Sequence, residues 1–264
     1  MMPKQARALA GAASLLLLWL GLTAIVGPRL LPWPWTVLAK FAASLWPTLV
    51  VHTLASLLRA LAAIAVSVGI GAPLGIWMGT TEWFDRALAP LTYVLYPIPK
   101  VALLPLVLVV LGLGEGSKLV LLCLILFFQV LVASRDAVRG IERQYVFSLQ
   151  SLAPTPWQRF RYLYLPYALP GIIGAVRVGV GTALAVLFFA ENYGTRYGLG
   201  YYIMDRWMRF MYPDMFAGIV ALSLLGLAMF RALDWLERAL CPWRHLSSRD
   251  SVPGDSGANH AQPA

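Results

Sequence analysis

The sequence predicts an all-α integral membrane protein of about six transmembrane helices. Three observations carry this. Hydrophobic residues make up 59% of the 264-residue chain and charged residues only 12%, whereas soluble domains carry roughly 25% charged residues. The apolar residues form long continuous runs, not the period-two alternation of a membrane barrel. Between the runs lie short stretches rich in Pro, Arg and Trp, residues that end helices or settle at membrane boundaries. The net charge of +9 is read as basic residues retaining cytoplasmic loops, not as nucleic-acid binding. Cys123 and Cys241 stand in no CxxC pattern, and His52, His245 and His260 are scattered. No metal site, disulfide framework or cofactor is expected.

Lys4 and Arg7 precede a first apolar run, Leu9 to Val26. It is long for a signal-peptide core, and Gly27-Pro28-Arg29 is not a small-x-small cleavage site, so an uncleaved span is expected. Pro28, Pro32 and Pro34 end it, and Trp33, Trp35 and Trp46 suit the interface, with Val37–Trp46 lying along the membrane surface. A second span falls within Leu49–Met78. Its end contains Gly71, Gly75 and Gly79 in two overlapping GxxxG spacings, which serve either small-residue packing or a dimer contact. The third span, about Leu88–Leu111, carries Pro90, Pro97, Pro99 and Pro105, with Lys100 among them. Such breaks are tolerated where neighbours or a cavity satisfy the freed carbonyls. A fourth span is expected near Leu119–Ala133, a fifth near Leu169–Ala190 and a sixth near Met215–Ala232. Ser247–Ala264 is polar and reads as a disordered tail. The chain thus divides into 1–48 (first span and linker), 49–240 (a core with a cytoplasmic loop at 135–166) and 241–264 (tail).

Placing the N-terminus inside puts twelve Lys and Arg in inside segments and six outside, Lys118 among the six. This favours cytoplasmic N- and C-termini. Arg59, Lys100 and Arg177 fall within spans. Catalytic groups are missing: there is no P-loop, H-E-x-x-H or G-x-S-x-G pattern. In the 135–166 loop, Thr155 is a good N-cap and Pro156 a good first helical residue. A short helix is expected from there, stopping near Pro166. Trp157, Phe160, Arg161 and Tyr164 share one face at i, i+3, i+4, i+7. That face serves either a protein partner or the lipid surface.

The run Leu152-Ala153-Pro154-Thr155-Pro156-Trp157-Gln158-Arg159-Phe160, followed by Leu165-Pro166 and Leu169-Pro170-Gly171, resembles the cytoplasmic EAA loop of ABC-importer permeases. Pro97-Ile98-Pro99-Lys100, Gly112-Leu113-Gly114-Glu115, Arg177-Val178-Gly179, Ala190-Glu191 and Gly198-Leu199-Gly200 are similar to the spans and loops of the nitrate/sulfonate/taurine permease group. The resemblance covers about Ser56–Trp243. It implies a type I importer permease of the inner membrane, paired with a second copy as a homodimer. It also implies two cytoplasmic ATP-binding subunits and an extracytoplasmic solute-binding protein.

In the family, the loop docks the ATPase. The corresponding residues here are Leu152, Ala153, Pro154, Trp157, Arg159, Phe160, Arg161 and Tyr164. This chain departs from the pattern: Phe147, Ser148 and Leu149 stand where Glu-Ala-Ala is usual, and Ala153 where glycine is usual. Pro154 is expected to hold Ala153 extended instead. Lys100, Arg177 and Glu191 are candidates for the solute path, because an intramembrane charge needs a partner or a cavity. Two cations within spans favour an anion: a sulfonate, taurine or nitrate. The alternatives are structural roles for these charges, a pyrimidine-type (thiamine-precursor) solute, and a scaffold that docks a partner without transport.

Overall fold

The computed structural model describes residues 4–243, and all regular structure among them is helical. The tail expected at Ser247–Ala264 lies outside the described residues. Helix α1 (Lys4–Val26) covers the expected first span, its apolar part being Ala13–Val26. Pro34 opens α2 (Pro34–Ser44), where a missing N–H costs nothing. The chain bends at Trp46, which leaves helical geometry (φ −120°, ψ 131°), and continues as α3 (Val50–Thr80). Helix α2 packs on the last helix, with Lys40 3.9 Å from Asp214.

Helix α4 (Glu82–Leu95) and the Lys100–Leu103 turn with α5 (Leu104–Leu111) make up the expected third span, broken by 85°. Pro97 and Pro99 fall in the break, where proline cannot donate to a helix. Helix α6 (Glu115–Arg139) follows, then α7 (Arg143–Gln150), α8 (Pro156–Arg159), α9 (Leu165–Ala190), α10 (Leu199–Met208) and α11 (Tyr212–Leu240). Four helical stretches are long and apolar enough to cross a membrane: Pro34–Thr80, Glu115–Arg139, Pro156–Ala190 and Tyr212–Leu240. The bent pair counts as a fifth if it is one span.

The stretch Pro156–Ala190 corrects one expectation. The short helix does not stop near Pro166 but runs into α9 as one 35-residue rod. A wider turn at Phe160–Tyr164 changes the hydrogen-bond spacing just before Pro166, so the proline enters at the start of α9, where its missing N–H is tolerated.

The core has α6 at its centre, with α3 on one side and α9 on the other. Ala60, Ala63, Leu122, Leu126, Val130, Val176 and Val180 fill it. The glycine stripe faces α6. A Cβ on Gly71 would lie 3.1 Å from the Phe127 carbonyl oxygen, and one on Gly79 2.9 Å from that of Arg135. On Gly75 it would overlap the Leu131 carbonyl and come within 2.7 Å of Ser134 Cβ. The small residues therefore bring two helices of the same chain together, which settles the GxxxG question in favour of internal packing. Gly75→Val should lower stability by about 1–3 kcal/mol, because a branched side chain must push two backbones apart. Denaturation in mixed detergent micelles would read this as an earlier midpoint, whereas Gly69→Val, with open space around it, should not shift it.

Candidate coupling and translocation site

At one end of the bundle lies the loop expected to couple. Its short helix is capped at both positions of its first turn. Gln158 N–H donates to Thr155 Oγ1 (3.3 Å) and Thr155 N–H to Gln158 Oε1 (2.7 Å), a reciprocal capping box. The predicted face divides. Trp157 is 65% exposed and stacks on Phe160 with ring centroids 5.5 Å apart. Phe160 and Tyr164 are half-buried and pack on the core. With Arg159 they line a cleft of about 420 Å³ against Ile76, Trp77 and Thr80 at the end of α3. Leu152 and Arg161 are exposed. Outward residues are thus available to a partner while Phe160 and Tyr164 fasten the helix to the bundle.

The turn before this helix departs from expectation. Ala153 has φ +46°, the left-handed region, and is not extended. Its N–H donates to the Gln150 carbonyl (3.0 Å), closing the end of α7 as a left-handed cap. This helix-end geometry overrides the preference that Pro154 imposes on the residue before it, and alanine bears the strain that glycine avoids.

Beside the loop, Asp85 on α4 is held by Arg135 and Arg139 of α6, with Arg135 Nη2 donating to Oδ2 at 3.0 Å. At the opposite end, Glu191 is 1% exposed. It accepts from Ser56 Oγ (2.8 and 3.0 Å), Arg59 Nη1 (2.7 Å) and Gly200 N–H (2.8 Å). Arg59 also reaches Glu115 at the start of α6 through two bonds (2.6 and 2.7 Å) and the Tyr197 carbonyl (2.8 Å). Gly198, at φ +133°, brings its backbone against the Glu191 carboxylate, where a Cβ would overlap it. Lys118 is fully buried, donates to the Gly114 carbonyl (3.0 Å) and feels the Glu115 and Glu191 carboxylates. It therefore belongs to the interior, not to the outward loop in which its charge was counted.

The three candidate solute-path residues do not meet. Glu191 is locked in the network just described. Arg177 donates from Nη2 to Asp234 (2.6 Å) and Glu237 (2.7 Å) on α11, so its charge is balanced and gives no pull on an anion. Lys100 lines a recess, about 280 Å³ in volume, at the bend between α4 and α5. Sequence reasoning set Arg59 within a span but gave it no role, and it did not pair Glu115 or the Asp85–Arg135–Arg139 cluster with anything. A signal for Arg59 existed: His52, Ser56 and Arg59 recur at i, i+4, i+7, a polar stripe on an otherwise apolar helix.

The structure is thus a helical bundle with one broken span, an exposed capped loop and a charge network at each end. Residues 71–241 match the family described as binding-protein-dependent transport system inner membrane component. The chain is 31% identical over 225 residues to the taurine transport system permease protein TauC of Escherichia coli, covering 83% of this chain and 82% of that one. It is 32% identical over 234 residues to the formylaminopyrimidine transport permease protein ThiX of Halalkalibacterium halodurans (87% and 92% covered). Against the putative aliphatic sulfonates transport permease protein SsuC of Bacillus subtilis the identity is 30% over 237 residues (88% and 86% covered). The fold is shared with an inward-facing structure of the MetNI methionine ABC transporter, with a TM-score of 0.60, 19% identity, and 72% of this chain and 94% of that chain covered. The chain belongs to the binding-protein-dependent transport family. It is a multi-pass inner-membrane permease subunit of an ABC importer, whose ATPase and solute-binding protein are separate partners.

Two stability outcomes follow from this geometry. Arg59→Leu strands the buried Glu191 carboxylate and should cost about 3–5 kcal/mol, much of it recovered by adding Glu191→Gln, as a double-mutant cycle in micelles would show. Ala153→Gly should stabilise the protein by about 1 kcal/mol, since glycine adopts positive φ without the clash that alanine suffers. A midpoint unchanged by that substitution would remove the strain argument.

Proposed function

We propose that this permease carries a small organic anion of the sulfonate class. In this reading it works as a homodimer with two ATPase subunits, and both of its termini are cytoplasmic. The observation that carries the substrate is Lys100: it lines a recess at a broken span with no carboxylate bonded to it. Relatives named for taurine and aliphatic sulfonates point the same way. The second copy supplies the facing wall of the path through the membrane. The relative named for formylaminopyrimidine supports a second reading, a flat heterocyclic solute. Uptake assays with taurine, an alkanesulfonate and formylaminopyrimidine, using the complete complex, separate the two.

Coupling is assigned to Leu152, Ala153, Pro154, Trp157, Arg159, Phe160, Arg161 and Tyr164, within a core of 49–240 and its loop at 135–166. Trp157 and Leu152 offer exposed apolar surface to an ATPase groove. Motion of α8 passes into α9 because the two form one helical rod, a rigid element shared by two states. Glu191 is placed at the far end of that rod as its anchor, and Arg177 as its tie to α11. Positive residues at the loop end, Arg135 and Arg139 among them, support a cytoplasmic location for that end.

Trp157→Ala should abolish co-purification of the ATPase and solute uptake while leaving the permease as stable as the wild type, since the ring is mostly exposed. Phe160→Ala should in addition cost about 2 kcal/mol of stability, because its ring is half-buried against the core. Normal assembly and uptake in Trp157→Ala would end the docking assignment.

A further inference from the structure

The recess at the α4–α5 bend holds more than a lone lysine. Helix α4 ends at Leu95, and the prolines that follow leave its last carbonyls without helical donors. Lys100 Nζ supplies them, donating to the Leu95 carbonyl (3.0 Å) and to that of Tyr96. An ammonium has three N–H donors, so one remains. The same Nζ stands 5.4 Å from the ring centroids of both Tyr96 and Phe128, which face it with π-electron density. The broken helix and the two rings therefore hold the charge at a set point.

Two further polar side chains line this recess, Gln129 of α6 and Thr182 of α9. Gln129 Oε1 is buried without a hydrogen-bond partner, turned against Gly179 of α9, where a Cβ would overlap it. The same side-chain amide carries two N–H donors. Thr182 adds a hydroxyl one helix away. Among the described residues that line the recess none is acidic, and the rest of the wall is apolar or aromatic, Val186 included. Three side chains able to donate hydrogen bonds on a recess without a carboxylate suit an anion, and the apolar wall beside them suits a short carbon chain.

We propose that Lys100, Gln129 and Thr182 form a subsite for the anionic head of the transported solute. They contact it as it passes the bend, its carbon tail lying against Phe128 and Val186. The inference rests on the importer reading above and adds to it residues that discriminate charge. Gln129 is a specificity residue: it adds a donor beside Lys100, and a carboxylate in its place would occupy Lys100 and repel the passing anion.

The test uses the permease assembled with its ATPase and binding protein in proteoliposomes, with radiolabelled taurine as probe. The readout is taurine accumulated per ATP hydrolysed, since a merely weakened complex loses both together. Gln129→Glu should lower this ratio by about tenfold, the size of a lost hydrogen bond to a charged group plus repulsion. Thr182→Val, nearly isosteric, should lower it less but in the same direction, and it serves if Gln129→Glu fails to assemble. A wild-type ratio in both variants, with taurine transported, overturns the subsite and leaves the importer reading intact. Uptake of formylaminopyrimidine but not of taurine by the wild type overturns both the subsite and the sulfonate assignment.

Discussion

The structure depends on the close approach of α3 and α6. Gly71, Gly75 and Gly79 let the α3 backbone come within contact of the carbonyls of Phe127, Leu131 and Arg135. In a membrane there is little hydrophobic drive between helices, so the association must come from close packing and from polar groups at the contact. Here both are present, and they are arranged at intervals. Between the glycines and the core alanines the helices touch. At one end Arg59 of α3 grips Glu115 of α6, and at the other Asp85, just past α3, is gripped by Arg135 and Arg139 of α6. The pair is pinned at both ends, which makes it a fixed frame.

A long helical rod is hung on that frame. The rod from Pro156 to Ala190 packs along α6 through Gly171 and Gly179. Its α8 end is fastened by Phe160 and Tyr164 at the end of α3. Its other end is fastened through Glu191 to Ser56, Arg59 and Gly200. On the docking role proposed for α8, a push on it would pass along the rod, past the Lys100 recess at Thr182 and Val186, to the buried carboxylate.

Much of this was legible in the sequence, and the reasons are physical. Long apolar runs and their proline breaks announce themselves locally, so α3, α6, α9, α11 and the bent third span were readable. Thr155-Pro156 and its partner Gln158 sit within four residues, so the capped start of α8 was readable too. What depended on distant residues was not. The fate of Pro166 rests on a widened turn that the pattern of residues does not mark. Ala153 takes a strained φ because α7 must end there, although Pro154 argues locally for extension. The roles of Arg59 and Lys118 need Glu115 and Glu191, residues brought to them only by folding. The glycine stripe showed that some helix would come close, but not that it was α6 of the same chain.

Charge accounting inside the bundle gives the last step. An ionised side chain in this environment must be compensated, or it marks a path. Arg59 is compensated by Glu115 and Glu191, and Arg177 by Asp234 and Glu237. Lys118 is buried beside the same two carboxylates that Arg59 uses. Lys100 differs in kind: its bonds go to carbonyls, which are dipoles and leave its unit charge in place. A transporter for anions gains from such a charge only if it is weakly held, because a site that binds too well releases slowly. Carbonyls and aromatic faces fix the position of Lys100 without neutralising it, and in the proposed subsite its single remaining N–H would limit how tightly an anion is gripped. The break in the third span thus serves two ends at once. It frees the carbonyls that position the lysine, and it opens the recess into which the lysine faces.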